Sequence, residues 1–185
     1  MPREFPFYQQ LDAMDCGATC LRMVARHYGR FYSLEQLREM TYMGKQGVTL
    51  LGISDAAEHI GLQSLALKTN YERLIRDIPL PCIAHWNQDH FVVVYKATKK
   101  YIWIADPAVG KFKLTKEEFL DNWISDEEED DEGKSGILLL LEPTPEFYEH
   151  DDEKVNKAGL KYVLSYFRKY QNLIGQLVLG LILGS

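Results

Sequence analysis

The sequence predicts an α+β fold in which N-terminal helices pack on an antiparallel sheet. Two observations carry that reading. Up to Gly61, apolar residues recur at helical spacing between capping and stop signals. Beyond Pro79 and Pro81, short apolar strands alternate with polar turns.

An aromatic, proline-containing lead-in, Met1 to Phe7, precedes the first helix, expected from Cys16 to Tyr28. Cys20, Leu21, Val24, Ala25 and Tyr28 recur at its period, and Gly29 stops it. Asp15 is a residue type that caps helix starts, which puts Cys16 at the first helical position. Ser33-Leu34-Glu35-Gln36 has capping-box form, and Leu34, Leu37 and Met40 make a second short helix. Gly44 and Gly47 mark a loop. Thr49 can cap a third helix carrying Leu50, Ile53, Ala57 and Ile60, with Gly61 as its stop. Leu65 and Leu67 alternate with small or polar residues in a strand, and Tyr71 to Ile75 form a helical turn.

The sheet-forming half begins with Cys82 to Trp86, turns at Asn87-Gln88-Asp89, and continues with His90 to Tyr95 and Tyr101 to Ala105. Both faces of the last two strands are apolar, so the sheet is covered on both sides. Asp106-Pro107-Ala108-Val109-Gly110 is a turn before a short strand, Lys111 to Leu114. Thr115-Lys116-Glu117-Glu118 is a second capping box, opening a helix through Phe119, Leu120 and Trp123. Ile137 to Leu141 reads as the final buried strand.

Three stretches stand apart. The acidic run from Asp126 to Glu132 reads as a solvated loop. Pro143 to Asp152 reads as a proline-containing acidic linker. From Lys154 a helical segment leads into the apolar stretch 173–183, shorter than the roughly 20 residues that cross a bilayer. Flanked by Lys161, Arg168 and Lys169, it reads as the start of a membrane helix; an interfacial anchor or a partner-binding helix is the alternative.

Composition narrows the function. The 185 residues carry a net charge of −6, and no basic cluster has the footprint of a nucleic-acid binder. Cys16, Cys20 and Cys82 are an odd set that makes no disulfide framework. With no secretory signal at the N-terminus, they point to a reducing compartment. Cys16 and Cys20 lie one turn apart, but no second Cys/His pair stands at ligand spacing, so no metal site is expected.

Cys16 is the residue with chemistry to offer. Unpaired N–H groups and the positive end of a helix dipole favour a thiolate there. A small buried cysteine without chemistry fits the same stretch. A nucleophilic cysteine needs a base, and the base an orienting group. His27 lies eleven residues along the same helix, about 16 Å away on its axis. His59 falls at a helix end and His150 in the acidic linker. His85 sits in an apolar strand and reads as a packed side chain. If the hairpin centres on Thr98, Tyr95 faces Tyr101 and His90 faces Asp106, side by side on one face. That register is an assumption, and a one-residue slip separates the pair. Gln10 can fold back over the helix start as an oxyanion donor, and spacing alone does not separate it from Gln9.

Gln10-x-Asp12-x-x-Asp15-Cys16-Gly17-x-x-Cys20-Leu21, then Ala84-His85-Trp86 with Asp89-His90-Phe91-Val92-Val93, then Ala105-Asp106-Pro107-Ala108-x-Gly110, resembles the C39 peptidases. These are N-terminal domains of peptidase-containing ABC transporters that mature and export bacteriocins and related peptides. The match runs from Phe5 to Glu142; the acidic run looks like an insertion. The resemblance implies a papain-like cysteine peptidase that cleaves a leader after Gly-Gly or Gly-Ala, on the cytoplasmic face of the bacterial cell membrane. It implies Cys16 as nucleophile, His90 as general base and acid, Asp106 as orienter and Gln10 as oxyanion donor. Residues 1–145 would be the peptidase domain, 146–172 a linker and amphipathic helix, and 173–185 the start of a transmembrane helix. It further implies a homodimeric parent whose remaining membrane and ATPase parts use ATP and Mg²⁺. No P-loop occurs in these residues, so they are not expected to hydrolyse ATP themselves, and no cofactor is expected for them. Three rival readings are a non-catalytic domain that recruits the export substrate, a different acyl-transfer enzyme with the same triad, and a purely structural domain. Trp86 is a candidate for the Gly-Gly constriction, with core packing as the plainer role.

Overall fold

The computed structural model describes residues 4–41, 48–123 and 134–149. These fall in one compact unit, Met1–Asp152; a second unit, Glu153–Ser185, lies outside the described residues. So do the Gly44/Gly47 loop, the acidic run, His150 and the expected linker helix and apolar tail.

The helices are α1 (Cys16–His27), α2 (Leu34–Thr41), α3 (Leu50–His59), α4 (Tyr71–Arg76), α5 (Lys116–Trp123) and α6 (Pro145–Glu149). The strands are β1 (Leu62–Asn70), β2 (Cys82–Trp86), β3 (His90–Ala97), β4 (Tyr101–Asp106), β5 (Gly110–Thr115) and β6 (Ser135–Pro143). They form one sheet in the order β1-β6-β2-β3-β4-β5, with every neighbouring pair antiparallel.

The α+β expectation holds, and period-two alternation explains how the sheet is covered on both sides. Ile83, Phe91, Val93, Ala105 and Leu139 pack with Leu21, Val24 and Ile53 of α1 and α3. The intervening residues Ala84, Val92, Val94, Ile104 and Leu138 pack with Leu74 of α4 and with Phe119 and Trp123 of α5. The helix starts follow local chemistry. Ser33 and Gln36 bond reciprocally at the start of α2. Thr49 Oγ1 accepts the Gly52 N–H at 3.0 Å to cap α3.

Three expectations change. Asp15 occupies the N-cap position of α1 but makes no side-chain cap there. A 3₁₀ turn, Ala13–Asp15, precedes the helix and is capped by Asp12, while the Asp15 carboxylate takes the Asp12 N–H and the Arg38 guanidinium. Second, Tyr95 does not face Tyr101, nor His90 Asp106. Val93 pairs with Ala105 and Val94 with Ile104, then a bulge between Val94 and Lys96 shifts the register. The extra residue, Tyr95, stacks on Phe5 of the lead-in at 4.6 Å. Third, the stretch read as a linker opens with α6. Its Phe147 is fully buried against the helical layer. Gly61, at φ +85°, lets this segment come close: a Cβ there would lie 2.6 Å from the Phe147 backbone nitrogen. Thr144 closes the contact by donating its N–H and hydroxyl to the Gly61 carbonyl.

Candidate active site

Cys16 opens α1 as the sequence predicts, and the helix is held against β3 from within. The Cys20 thiol, one turn on, donates to the Phe91 carbonyl at 3.3 Å, one residue after His90. Burial pushes the Cys20 thiol well above its usual range, so it is a packing group rather than a nucleophile. Gly17 lets α3 close over the same end of α1. A Cβ at Gly17 would lie 2.3 Å from Val48 Cγ1 and 2.6 Å from Ile53 Cδ1.

His90 begins β3 and Asp106 ends β4, so both side chains stand at the same end of the sheet. The observed pairing puts Asp106 two residues from direct opposition to His90. A shift of two preserves the face, and the imidazole spans the diagonal. His90 Nε2 lies 2.8 Å from Asp106 Oδ1. Cys16 is close enough to the same imidazole to help raise its pKa, and with Nε2 on the carboxylate Nδ1 is the ring nitrogen left for a second partner. Burial disfavours the imidazolium, but the hydrogen bonds and charges of Asp106 and Cys16 outweigh it and raise His90 to about 9. Burial also works against the Asp106 carboxylate. Its bonds to His90 and to the Ala108 and Val109 N–H groups hold it below the usual carboxylate range all the same.

The turn after Asp106 positions a third group. Ala108 N–H donates to Asp106 Oδ1 at 2.8 Å, and the intervening Pro107 carbonyl accepts the Gln10 N–H at 2.9 Å. Gln10 is thereby fixed beside Asp106. Its side-chain oxygen is buried and bonds to none of the described residues. An open cleft of about 460 Å³ has Gln10, Met14, Trp86, Asp89, His90 and Asp106 among its walls. Gln9 is exposed and does not line it, which separates the two glutamines. Trp86 has the core role foreseen for it, its ring packing 5.4 Å from that of Phe119, and it also lines the cleft.

The remaining candidates lie elsewhere. His27 packs at 5.4 Å from the Phe5 ring, its pKa lowered by burial, and His59 ends α3. His85 packs on Phe91 at 5.3 Å and faces a different cleft with Val48 and Thr49. Cys82 is buried, its thiol pushed up to about 12. Two contributors escaped the sequence reading. Asp106-x-Ala108 carries a recognisable signal, an Asp accepting the N–H two residues on. Arg38, whose guanidinium takes both oxygens of Asp15, carries none, because 23 residues separate the partners.

The peptidase C39 family profile matches residues 4–126. The lactococcin-G-processing and transport ATP-binding protein LagD of Lactococcus lactis subsp. lactis is 38% identical over 145 residues, which is 76% of this chain and 19% of LagD. The transport/processing ATP-binding protein ComA of Streptococcus pneumoniae is 33% identical over 94% of this chain and 23% of its own. The chain thus spans about a fifth of the length of these relatives. Among solved structures, a double glycine motif protease from an AMS/PCAT transporter, in complex with the leader peptide, matches with a TM-score of 0.65 at 35% identity. That match covers 76% of this chain and 93% of the other. The peptidase domain of Streptococcus ComA matches with a TM-score of 0.63 at 30% identity, over 76% of this chain and all (100%) of that one.

Proposed function

This chain belongs to the peptidase C39 family, and from that premise we propose that it is a cysteine endopeptidase that removes a peptide's leader by cutting after a Gly-Gly pair. The observation that carries the reading is the imidazole of His90, bonded at 2.8 Å to the Asp106 carboxylate and electrostatically coupled to the Cys16 side chain.

Each group then has a step. His90 takes the Cys16 proton, and the thiolate attacks the carbonyl carbon of the second glycine. The Cys16 backbone N–H and the Gln10 amide hold the resulting oxyanion. As the tetrahedral species collapses, His90 gives its proton to the leaving amine and the leader remains as a thioester on Cys16. Water attacks that thioester, His90 takes the water's proton, and the leader leaves as a carboxylic acid with the thiol restored. Asp106 holds the ring and favours its imidazolium throughout. Trp86 and Met14 line the cleft that His90 and Asp106 share, and we propose that they form the walls that admit residues without a Cβ.

By likeness to LagD and ComA, whose names couple processing and transport with ATP binding, the chain serves as the peptidase part of a longer transporter, which we further propose to be a homodimer. Its place is then the cytoplasmic face of the bacterial cell membrane. The partners are the leader peptide and the parent's membrane and ATPase parts, and ATP with Mg²⁺ serves those parts alone. The expected membrane entry at 173–185 lies outside the described residues, among which no helix is long and apolar enough to cross a membrane.

Incubating the 185-residue chain with a synthetic precursor bearing a double-glycine leader tests the reading by mass spectrometry. The expected products are the free leader acid and the trimmed peptide, with no cut by Cys16→Ala. A precursor that binds but stays intact identifies the substrate-recruiting alternative. Transfer of the leader to an added amine instead of water identifies the acyl-transfer one.

A further inference from the structure

The nucleophile's helix begins next to a buried negative charge. Asp15 directly precedes Cys16 and is completely buried (0% exposed). Its carboxylate does not cap α1 with a side-chain bond. A fixed carboxylate one residue from the sulfur works against a thiolate, because the two charges repel where water screens them poorly. The fold answers with a cation from another helix. Arg38 Nε donates to Asp15 Oδ1 at 2.8 Å and Arg38 Nη2 to Oδ2 at 2.6 Å, a two-point fork on both oxygens. The Asp12 N–H, at 3.0 Å, adds a bond from the 3₁₀ turn itself.

The fork also sets position. Leu34 and Leu37 anchor α2 in the core that holds α1, and the Ser33–Gln36 box fixes where α2 starts. Arg38 therefore reaches Asp15 from a fixed platform, and the turn presenting Cys16 is tied to α2 rather than left to its own backbone. Among the described residues, the ionisable groups that couple to Cys16 are His90 from β3 and Cys20 from α1, with Asp106 of β4 behind His90 and Asp12 and Asp89 on nearby turns. The neighbours that α3 brings to Gly17 are apolar, Val48 and Ile53.

We propose that Arg38 is a positioning residue for the nucleophile: its guanidinium neutralises and clamps the Asp15 carboxylate, so that the start of α1 presents Cys16 to His90 as a thiolate. This rests on Cys16 being the reactive thiol of the proposed peptidase, and the test reads that thiol separately from peptide cleavage.

The measurement is the rate of iodoacetamide alkylation of Cys16 against pH, localised by mass spectrometry, beside kcat and KM for leader cleavage. Arg38→Met is expected to move the alkylation profile to higher pH by about one unit. It is expected to lower kcat by about ten-fold or more with a smaller change in KM. Arg38→Lys keeps the charge but loses the fork, so it should restore the alkylation profile more fully than kcat. In an Asp15→Asn background, with the charge gone, Arg38→Met should shift the profile little. A profile unmoved by Arg38→Met in a folded protein overturns the inference. So does a full shift that persists beside Asp15→Asn. If Arg38→Met does not fold, the comparison of Arg38→Lys with wild type decides: kcat and profile both unchanged overturn it. Wild-type protein that alkylates normally but never cuts a leader defeats the peptidase reading and leaves the Arg38 result standing.

Discussion

His90 and Asp106 are not cross-strand partners, yet their side chains bond at 2.8 Å. The pair sits at the end of the sheet, where β3 begins and β4 finishes, and an imidazole is long enough to span the diagonal. Burial lowers the His90 pKa, but the Asp106 carboxylate and Cys16 together outweigh it and raise His90 to about 9, against an ordinary value of 6.5.

That shift sets a pH dependence for stability. A histidine whose folded value lies above its unfolded one binds its proton more tightly in the native state. Its contribution is complete below about pH 6.5 and is lost as pH rises through about 9. The urea midpoint is therefore expected to fall between about pH 6.5 and pH 9.5 in the wild type, and to fall less in Asp106→Asn. Equal slopes in the two proteins would show that this pair does not carry the effect.

His90 is also expected to govern how fast Cys16 reacts. In His90→Ala, rapid iodoacetamide labelling of Cys16 near neutral pH should disappear. Labelling that stays fast would assign the activation to the helix start alone.

A Gln10 variant separates the oxyanion role proposed for this residue from nucleophile activation. Gln10→Ala is expected to lower kcat by roughly 10²–10³-fold while leaving KM and the Cys16 alkylation rate near wild type. A loss of alkylation in that variant would instead make Gln10 a structural support, acting through its backbone bond to Pro107.

Gly17 is a packing constraint on the site. In Gly17→Ala the new methyl group meets Val48 and Ile53. The expected cost is about 1–3 kcal/mol in urea unfolding, from overpacking between α1 and α3. Cleavage should fall further than stability, because the displaced element carries Cys16. Unchanged stability would mean that Val48 and Ile53 yield without strain.

Cys20 and Cys82 should behave as inert thiols. Native protein treated with a thiol reagent is expected to label Cys16 quickly and these two only on unfolding, since burial pushes both thiols up. Cys20→Ala should cost on the order of 1 kcal/mol, for a small cavity and the lost bond to Phe91, with Cys16 still reactive. Fast labelling of Cys20 would contradict its place in the core.

Some elements were readable from residue spacing because local chemistry decides them. Ser33 with Gln36, Thr49 with Gly52, and the alternation of Phe91 to Val94 each depend on neighbours within a few residues. The hairpin register was misjudged at its turn: Ala97 pairs with Ile102, so the turn centres between Lys99 and Lys100 rather than on Thr98, and the bulge at Tyr95, which stacks on Phe5 ninety residues earlier in the chain, takes back one residue of that offset. The site survived that error because the displacement was two residues, which keeps a side chain on its face.

By itself the sequence determined which chemistry was on offer: a cysteine at a helix start, a histidine opening one strand and an aspartate closing the next. Those follow from periodicity and end signals, which act over one or two turns of chain. Only the tertiary structure decided which glutamine lines the cleft, how one turn holds both Gln10 and Asp106, and which cation answers Asp15. Each of those depends on close packing between segments far apart in sequence, and hydrogen bonds of about 3 Å form only where that packing brings the partners together.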